Sequence, residues 1–582
     1  MVYRIADNII SPLGETTEQN YLAVKDGRSA LCHYNHQWDI PEPFTASLFT
    51  DAQNEALAVE GLTRFESLAF TSAKKAIEAS KINVSGANVV FILSTTKGNI
   101  ELIFSDREDT AIYPGTAARH IAERLGIKTK PITVCNACIS GVSALVLAFR
   151  LLEAGHYDYA VVCGADVQNK FTVSGFQSLK AISENECRPF DIERMGLNLG
   201  EAAATLVLSR QPVDSWAIER GAVRNDAFHI SSPSKNGDGA RMALNAIVRD
   251  TDKERLAFIN AHGTATMFND QMESVAITGA GLGEIPVNAY KGYFGHTLGA
   301  AGVLETVLSM AAADDHTILA TRGFEERGVS GKVQISAQNS TTDKCSFVKM
   351  ISGFGGCNGA ILVSRKPEQK AEEKTVRNFE TKHRVQISPS AILVDGQEIE
   401  VGGERSALPL ATEGTQEVEV RGKSLLTAIY KHYVDDYPKF YKMDPLSRLG
   451  FVATELLLQA EGKRRDVPSE DRAVILFNRS SSIQADQKYL DSIADPEDYF
   501  PSPSVFVYTL PNIVTGEIAM RNHYHGETSF YIIDEKNDDL MNQTLSASFA
   551  DIKTKSMIGG WIDYQDDSHF EADIYIVELT NH

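Results

Sequence analysis

Cysteine is scarce and unevenly placed in this sequence. The 582 residues contain seven cysteines, and none of them follows Cys357. Cys135 and Cys138 form one Cys-x-x-Cys spacing, and no second pair of this kind accompanies it. The irregular spacing argues against a disulfide framework, so we expect free thiols in a reducing compartment.

Long apolar runs and an excess of positive charge are also missing. No apolar run approaches the roughly 20 residues needed to cross a bilayer. The opening residues include Arg4 and Asp7, where a signal peptide would need an apolar core. The formal net charge of -21 disfavours nucleic acid or an anionic membrane as the main partner. We therefore expect a cytoplasmic protein without a membrane span and without a nucleic-acid partner.

The pattern of apolar runs divides the chain into two units, as its length requires. Residues 1–365 alternate short strand-like runs with helical stretches, which predicts an α/β fold. Residues 366–385 are rich in both charge signs and poor in apolar residues, which predicts a linker. Residues 386–582 form a second unit with a buried strand at 473–477. Because this unit lacks cysteine, it cannot contain a thiol nucleophile.

Cys138 stands where a short strand, 132–134, turns into a strongly apolar helix. Free N–H groups and the dipole at a helix start favour an anion, so we expect a thiol pKa below about 8.5. The same N–H groups can stabilise the oxyanion that forms when a thioester carbonyl is attacked. A small buried hydrophobe is the alternative, and this segment alone leaves both open. Cys135, on the strand, is interpreted as structural.

Two histidines occupy polar, glycine-rich turns. His262 follows a strand-like run and precedes Gly263, whereas His296 follows Gly295 and precedes a Gly/Ala-rich helix start. A single histidine in such a turn is more often a satisfied core residue. Two of them in the same chain as the Cys138 turn indicate a catalytic group.

Five segments resemble, in order, the motifs of β-ketoacyl-acyl-carrier-protein synthases of the elongating type, which belong to the thiolase superfamily. They are 136–141 (Asn-Ala-Cys-Ile-Ser-Gly), 188–191 with 200–202, 262–266 with Asp270 and Glu273, 291–302, and 353–356 with Asn358. The resemblance covers residues 1 to about 365. It implies a thiolase-like αβαβα layered fold for the first unit.

The resemblance also implies a reaction, the decarboxylative Claisen condensation. Cys138 would carry the acyl chain, and the backbone N–H groups of Cys138 and Phe354 would form the oxyanion hole. His262 and His296 would bind the carbonyl of a malonyl thioester and stabilise the enolate as hydrogen-bond donors. Neither a metal nor another cofactor is expected.

Further residues and partners follow from the same resemblance. Lys291 and Glu273 are expected to form a buried pair that orients the histidines. Phe354 is expected to act as a gate on the acyl pocket, although Ser352 stands where many relatives carry a second phenylalanine. The expected partners are an acyl carrier protein and malonyl- and acyl-thioester substrates. Since relatives dimerise through the core sheet, we expect a homodimer or a heterodimer with another ketosynthase-like chain.

The second unit resembles the N-terminal half of the first. Its segments 448–457, 473–477 and 478–482 follow the order of 64–79, 89–93 and 94–96, and 511–519 with 528–532 parallels the helix and strand before Cys138. We interpret residues 386–582 as a degenerate ketosynthase-like half, which could dock a partner, shape the acyl tunnel or bind a carrier protein. His523, His525 and Glu527 could form a metal site, but a polar loop is the favoured interpretation.

Three functions remain open. The favoured one is an active elongating synthase, in fatty-acid or specialised polyene or pigment biosynthesis. A thiolase that uses coenzyme A would need a second catalytic cysteine near the glycine-rich loop, where Cys357 lies. The third is a non-catalytic partner that sets chain length in another ketosynthase. The intact Cys138, His262 and His296 argue against this third function for the first unit.

Overall fold

The computed structural model of the protein describes residues 1–367, 377–401, 423–462 and 468–580. The first unit alternates strands and helices as the sequence pattern predicts. Its strands are β1 (Val2–Ile10), β2 (Cys32–Tyr34), β3 (Phe44–Ser47), β4 (Val89–Ser94), β5 (Ile132–Val134), β6 (Tyr159–Asp166), β7 (Leu199–Gly200), β8 (Ala202–Ser209), β9 (Ala217–Asn225), β10 (Leu256–Asn260), β11 (Pro286–Asn288), β12 (Thr317–Ile318), β13 (Gln334–Ile335), β14 (Ser340–Thr341), β15 (Ser346–Gly353) and β16 (Cys357–Ser364). Its helices are α1 (Thr17–Lys25), α2 (Asp51–Leu57), α3 (Arg64–Ser80), α4 (Pro114–Leu125), α5 (Ser140–Glu153), α6 (Lys170–Ser178), α7 (Asp238–Ile247), α8 (Met267–Gly279), α9 (Lys291–Phe294) and α10 (Ala301–Asp314).

The second unit contains the remaining elements. Its strands are β17 (Phe379–Ile387), β18 (Ile392–Val394), β19 (Gln397–Glu398), β20 (Arg472–Asn478), β21 (Thr528–Ile532), β22 (Ser556–Asp566) and β23 (His569–Leu579). Its helices are α11 (Lys423–Tyr433), α12 (Pro445–Glu461), α13 (Ile483–Asp491), α14 (Pro503–Tyr508), α15 (Ile513–Asn522) and α16 (Asp538–Ser548).

One mixed sheet runs through both units, and its strand order in the second unit reverses that in the first. Its strand order through the two units reads β1, β8, β6, β4, β5, β21, β20, β22, β23 and β17. The halves meet at the antiparallel pair β5–β21, where Val134 faces Tyr531 and Thr133 faces Ile532. The second unit is therefore a second copy of this half of the sheet, related to the first by an approximate twofold axis.

The first unit is layered around two central helices. α5 and α10 pack on one face of its half of the shared sheet, and α3 and α4 cover the other face. A second sheet, β9, β16, β15, β10, β11 and β13, lies beyond α5 and α10, with α7 and then α8 outside it. This order is the αβαβα sandwich expected for the chain. Since α5 touches a sheet on either side, all of its residues except Phe149 and Glu153 are buried.

The second unit repeats only part of this sandwich. α12 and α15 pack on one face of its strands, as α3 and α4 do in the first unit, and α12 and α3 each span 17 residues. α16 takes the position of α5 and packs against β22 and against α5 itself. Asp538, Asp539 and Asn542 on α16 are exposed, whereas Leu540 and Leu545 are buried. An amphipathic helix suits this position, because the described residues of this unit place no second sheet against it.

The linker expected at 366–385 differs from the structure at its C-terminal end. Residues 368–376 of that segment lie outside the described residues. Residues 379–385 belong to β17, which pairs with β23 over its length. β17 is an outer strand of the shared sheet with mostly exposed side chains up to Arg384, so its composition is that of a solvated segment. In the described ranges no helix has the length and apolar character needed to cross a membrane.

Candidate active site

Cys138 lies between β5 and α5, in a single turn of 3-10 helix that spans Ala137–Ile139. Ala137 has a φ of 49°, a left-handed value that is uncommon for a residue with a side chain. The Cys138 side chain is nearly buried, with 9% of the residue exposed. A strained turn that sets one side chain at a helix start is typical of functional sites.

The close approach of α5 and α10 brings the Cys138 turn and the His296 turn together. A Cβ atom on Gly141 would lie 2.8 Å from Gly302 Cα, so the two backbones touch at this point. Any larger residue at either position would push the helices apart. The glycines therefore determine how close the two turns can come.

The sulfur of Cys138 meets both histidines in this cavity. The sulfur and one ring nitrogen each of His262 and His296 all lie within 4.8 Å of one another. The two rings are 4.8 Å apart between centroids and nearly perpendicular, at 79°. In the described ranges, no other cluster of His, Cys, Asp and Glu side chains has metal-binding spacing. The absence of a metal remains a prediction.

The expected low pKa of the Cys138 thiol is wrong. Burial raises its pKa to about 12, although Lys291 and the backbone N–H groups of Cys138 and Phe354 act in the opposite direction. The helix start was visible in the sequence, but the loss of solvent around the sulfur was not. The backbone N–H groups of Cys138 and Phe354 both lie near the sulfur. That they form an oxyanion hole for a bound thioester remains a prediction.

Both imidazoles are neutral. Burial, with the nearby Lys291 and Lys349, holds the pKa of His262 and His296 well below the usual value. His296 Nδ1 accepts a hydrogen bond from the Leu298 N–H at 3.2 Å, so the ring proton resides on Nε2. His296 Nε2 and His262 Nδ1 are buried and have no hydrogen-bond partner in the structure. His296 thus presents a free N–H donor in a cavity without another acceptor for it.

The expected pair between Lys291 and Glu273 does not form. Lys291 instead bonds to Glu305 of α10, and Glu305 also bonds to Lys349 of β15. The two lysines are fully buried. Lys349 Nζ further donates to Asn260 Oδ1 at 2.8 Å, on the strand that leads to His262. One carboxylate therefore holds two ammonium groups behind the histidines.

Glu273 has a different position. Its two carboxylate oxygens accept hydrogen bonds from the His262 and Gly263 N–H groups, at 2.7 and 2.8 Å. Asn269 Nδ2 donates a third at 2.9 Å. Burial and the neighbouring Asp270 raise the pKa of Glu273 above its usual range. Glu273 positions the backbone of the His262 turn rather than a lysine.

The Phe354 loop is held by the second unit. Asn512, just before α15, donates from Nδ2 to the Phe354 carbonyl at 2.8 Å. A Cβ atom on Gly516 would lie 2.6 Å from the Gly355 carbonyl oxygen, so α15 packs directly on this loop. The Phe354 ring stacks on Phe176 at 6.3 Å, and Phe506 of α14 meets Phe176 edge-on.

The other candidate residues play structural parts here. Cys135 is buried, and burial raises its thiol pKa, as expected for a structural cysteine. Cys357 Sγ donates to the Phe354 carbonyl at 3.1 Å, and burial raises its pKa as well.

Glu527 forms a buried ion pair with Arg150 at 2.5 Å. His525 Nδ1 lies 3.1 Å from the Asn225 carbonyl. No metal cluster forms from His523, His525 and Glu527.

Sequence reasoning missed Glu305, Lys349 and Asn512. Glu305 is the one charged residue before Asp314 in the apolar helix Ala301–Asp314, and Lys349 is the one charged residue in the apolar strand Ser346–Gly353. An isolated charge in a buried element requires a partner, so their positions were a usable signal. Nothing in the sequence around Asn512 points to the Phe354 loop.

Comparisons with known proteins identify the family. Residues 7–213 match the family model for the β-ketoacyl synthase N-terminal domain, and residues 217–325 match that for the β-ketoacyl synthase C-terminal domain. The chain belongs to the β-ketoacyl synthase family. It is therefore an acyltransferase of the condensing type, and the sequence resemblance is confirmed.

Curated relatives carry the same family name. The chain is 26% identical over 418 residues to 3-oxoacyl-[acyl-carrier-protein] synthase 2 of Vibrio cholerae, a match that covers 61% of this chain and 97% of the relative. It is 32% identical over 279 residues to the tetracenomycin polyketide synthase ketoacyl synthase alpha subunit of Streptomyces glaucescens, covering 44% of this chain and 65% of the relative. A 3-oxoacyl-[acyl-carrier-protein] synthase and a polyketide synthase subunit are thus both among the relatives.

Solved structures confirm the thiolase-like fold. A ketosynthase, ApeO, in complex with its chain length factor, ApeC, from Xenorhabdus doucetiae matches with a TM-score of 0.54 at 24% identity, over 62% of this chain and 97% of that one. The PfaC keto synthase-chain length factor structure matches with a TM-score of 0.75 at 15% identity, over 99% of this chain and 78% of that one. The second match extends through the second unit.

Proposed function

We propose that this chain is an elongating β-ketoacyl-carrier synthase that condenses a malonyl thioester with an acyl group held on Cys138. The proposal rests mainly on the meeting of the Cys138 sulfur with the rings of His262 and His296 within 4.8 Å. Family membership supplies the reaction class. An acyl carrier protein is the proposed donor of both substrates.

The first half-reaction is acyl transfer to Cys138. The sulfur attacks the carbonyl of an acyl-carrier thioester, and the backbone N–H groups of Cys138 and Phe354 bind the oxyanion. The carrier thiolate leaves and receives the proton that the Cys138 thiol loses. A neutral histidine in the cavity can relay that proton.

The second half-reaction forms the carbon–carbon bond. The malonyl thioester carbonyl takes hydrogen bonds from the imidazoles of His262 and His296. Its carboxylate leaves as carbon dioxide, and the released electron pair becomes an enolate that these donors stabilise. The enolate carbon attacks the acyl carbonyl on Cys138. The Cys138 thiolate leaves and takes up a proton from solvent, and the product is a 3-oxoacyl carrier extended by two carbons.

We also propose that the second unit takes the place of a partner subunit. Its strand β21 pairs with β5, so this edge of the core sheet is occupied within one chain. Two structures that the chain resembles each contain a ketosynthase together with a chain length factor. A homodimer through β5 would have to displace β21.

The condensation is tested by mass spectrometry on the intact chain. Incubation with an acyl carrier should add one acyl group, and peptide mapping should locate it on Cys138. Addition of malonyl carrier should release carbon dioxide and a 3-oxoacyl carrier. Cys138→Ala should abolish the adduct, whereas Cys32→Ala, at an exposed cysteine, should not. His296→Ala should slow decarboxylation by about 10²–10³-fold.

Two results would contradict this function. The first is an acyl adduct that persists in the Cys138→Ala protein. The second is condensation of two acetyl-coenzyme A molecules without malonate, which would favour a thiolase.

The arrangement of the second unit is tested by a cross-link. Val134 and Tyr531 face each other across the β5–β21 pair, and opposed residues of such a pair are close enough for a disulfide. The double substitution Val134→Cys and Tyr531→Cys should yield an oxidised protein that runs as one chain on a denaturing gel. A band of two chains would show that β21 comes from another copy.

A further inference from the structure

A buried carboxylate bonds to the turn that follows His296. Asp166, the last residue of β6, is 2% exposed. Its two oxygens accept hydrogen bonds from the Gly299 N–H at 2.6 Å, from Thr95 Oγ1 at 2.6 Å, and from the Thr96 N–H and hydroxyl, both at 3.0 Å. All of these donors are neutral. A carboxylate is costly to bury, and here neutral hydrogen bonds offset that cost. These bonds join residue 299 to the ends of β4 and β6.

The turn that Asp166 contacts has a strained backbone. Leu298 has a φ of 50°, a left-handed value that is unfavourable for a residue with a side chain. The next residue, Gly299, is fixed on both sides, because Asp166 accepts from its N–H and Ser94 Oγ donates to its carbonyl at 2.9 Å. A Cβ atom on Gly299 would lie 2.5 Å from Thr95 Cα, so the turn packs directly on the end of β4. A strained conformation persists where several contacts determine it together, as they do here.

The strained residue supplies the hydrogen bond that fixes the His296 ring. The Leu298 N–H donates to His296 Nδ1 at 3.2 Å, which leaves the ring proton on Nε2. The His296 backbone is fixed separately, because its N–H donates to the Asn198 carbonyl at 2.6 Å and its carbonyl accepts from the Gly200 N–H at 3.0 Å. Loss of Asp166 would therefore leave this backbone in place but release the Leu298 N–H. The ring is then free to take the other tautomer, in which Nε2 is an acceptor and cannot stabilise an enolate.

Resting on the proposed function, we propose that Asp166 is a positioning residue for condensation, because it keeps the His296 Nε2 proton directed at the malonyl thioester. Its action is indirect: Asp166 bonds to Gly299, and Leu298 bonds to the ring. The loss of carbon dioxide depends on this imidazole. The attack by Cys138 instead depends on backbone N–H groups, so the two half-reactions should respond differently to a change at Asp166.

The test measures the two half-reactions separately in the full chain. Burial raises the pKa of Asp166 to about 6, so the assays are made at slightly alkaline pH, where the carboxylate is ionised. Acylation of Cys138 by an acyl carrier is followed by intact mass. A single turnover of the acylated protein with malonyl carrier, radiolabelled in its carboxylate, then gives the rate of carbon dioxide release.

Two substitutions of Asp166 differ in what they remove. Asp166→Ala leaves the Gly299 and Thr96 N–H groups without their acceptor. Carbon dioxide release should slow by about 10²-fold, the scale of a 1 Å misplacement, while acylation stays within about threefold of the native rate. In Asp166→Asn the amide oxygen can still accept from Gly299, and the amide nitrogen can donate to the Thr95 hydroxyl. This variant should recover at least about tenfold of the lost rate, because one correct acceptor restores the turn.

The tautomer of His296 can be measured directly. In protein with isotope-labelled histidine, nuclear magnetic resonance should show a protonated Nε2 and an unprotonated Nδ1 for His296, with His296→Ala as the assignment. Asp166→Ala should add a signal from protonated Nδ1. If Asp166→Ala does not fold, Ser94→Ala removes the other contact to Gly299. It should slow carbon dioxide release by about threefold to tenfold, as the loss of one hydrogen bond allows.

A matched control removes a buried aspartate away from the turn. Asp252 is fully buried and bonds to Arg220 and Arg255, each at 2.6 Å. The strand Leu256–Asn260 lies between Asp252 and His262 in the chain. Asp252→Ala should lower stability but leave the rates of acylation and of carbon dioxide release in the folded protein unchanged.

The outcomes are distinct. Equal slowing of both half-reactions in Asp166→Ala, with the native His296 tautomer, would show a structural role alone and overturn the inference. Native rates of carbon dioxide release in both Asp166→Ala and Ser94→Ala would overturn it as well. Both results leave the proposed function intact. A native protein that neither becomes acylated at Cys138 nor releases carbon dioxide would refute the proposed function, and this inference with it.

Discussion

Replacing Glu305 by glutamine should be among the most destabilising single changes in the first unit. The carboxylate bonds to Lys291 and Lys349, and all three residues are buried to at least 97%. Glutamine keeps the shape of the side chain but removes the charge that both ammonium groups face. Breaking a buried ion pair by removing one partner costs about 3–5 kcal/mol. Two cations depend on this one carboxylate, so the upper part of that range is expected.

The assay is equilibrium urea unfolding, and a double-mutant cycle isolates the cause. Lys349→Met removes one of the two stranded cations at similar volume. The Glu305→Gln/Lys349→Met protein should therefore be more stable than the sum of the single effects predicts, by about 0.5–3 kcal/mol. Glu78→Gln is the control, because Glu78 pairs with Lys74 at 4.0 Å on an exposed helix face and should cost well under 1 kcal/mol.

Two results would refute this reasoning about Glu305. One is a Glu305→Gln protein within about 1 kcal/mol of the native stability, since that is below the cost of an uncompensated buried charge. The other is strict additivity in the cycle with Lys349→Met. Either would mean that the lysines find another counterion or lose their protons without cost.

Two further predictions concern the Cys138 thiol and the Phe354 loop. Because burial raises the pKa of Cys138 to about 12, its alkylation by iodoacetamide, mapped by mass spectrometry, should rise about tenfold per pH unit from pH 7 to 9.5, and a plateau below pH 8 would contradict this. Asn512→Ala removes the donor to the Phe354 carbonyl, so amide hydrogen exchange in residues 353–357 should accelerate by about threefold to tenfold, as the loss of one hydrogen bond of about 1 kcal/mol allows. Unchanged exchange in that segment would show that α15 does not hold the loop.

The nucleophile and the histidines could be predicted because each stands next to a local turn signal. Cys138 follows a short strand and precedes an apolar helix, and His296 is framed by glycines. These features are local, so the sequence shows them. The partner of Lys291 is not local, because it depends on how α9 and α10 pack against β15. Glu273 was the wrong partner because it was chosen within a motif, whereas Glu305 lies in a helix with no other charge before Asp314.

Two other differences between prediction and structure concern the pKa of the Cys138 thiol and the end of the predicted linker. Both depend on how far each segment is exposed to solvent. The helix start at Cys138 predicted a lowered thiol pKa, but the sequence does not show that the second unit closes the cavity over the sulfur. The segment 379–385 has the composition of a linker because β17 is an outer strand with exposed side chains. Charge density alone cannot separate a solvated strand from a solvated coil, since both face water.

The two copies of the half-sandwich show how one fold position can carry different sequences. α5 touches two sheets, so it must be apolar on every face, and its start is a place where a thiol can be enclosed. α16 has the same position in the second copy but no second sheet against its outer face within the described ranges, so it carries exposed aspartates. Without the second sheet the second copy has no counterpart of the strand Ser346–Gly353 or of the turn before α10. The second copy therefore cannot build a nucleophile site. It contributes contacts to the first unit instead: Asn512 bonds to the Phe354 carbonyl, and Asp486 bonds to Lys97.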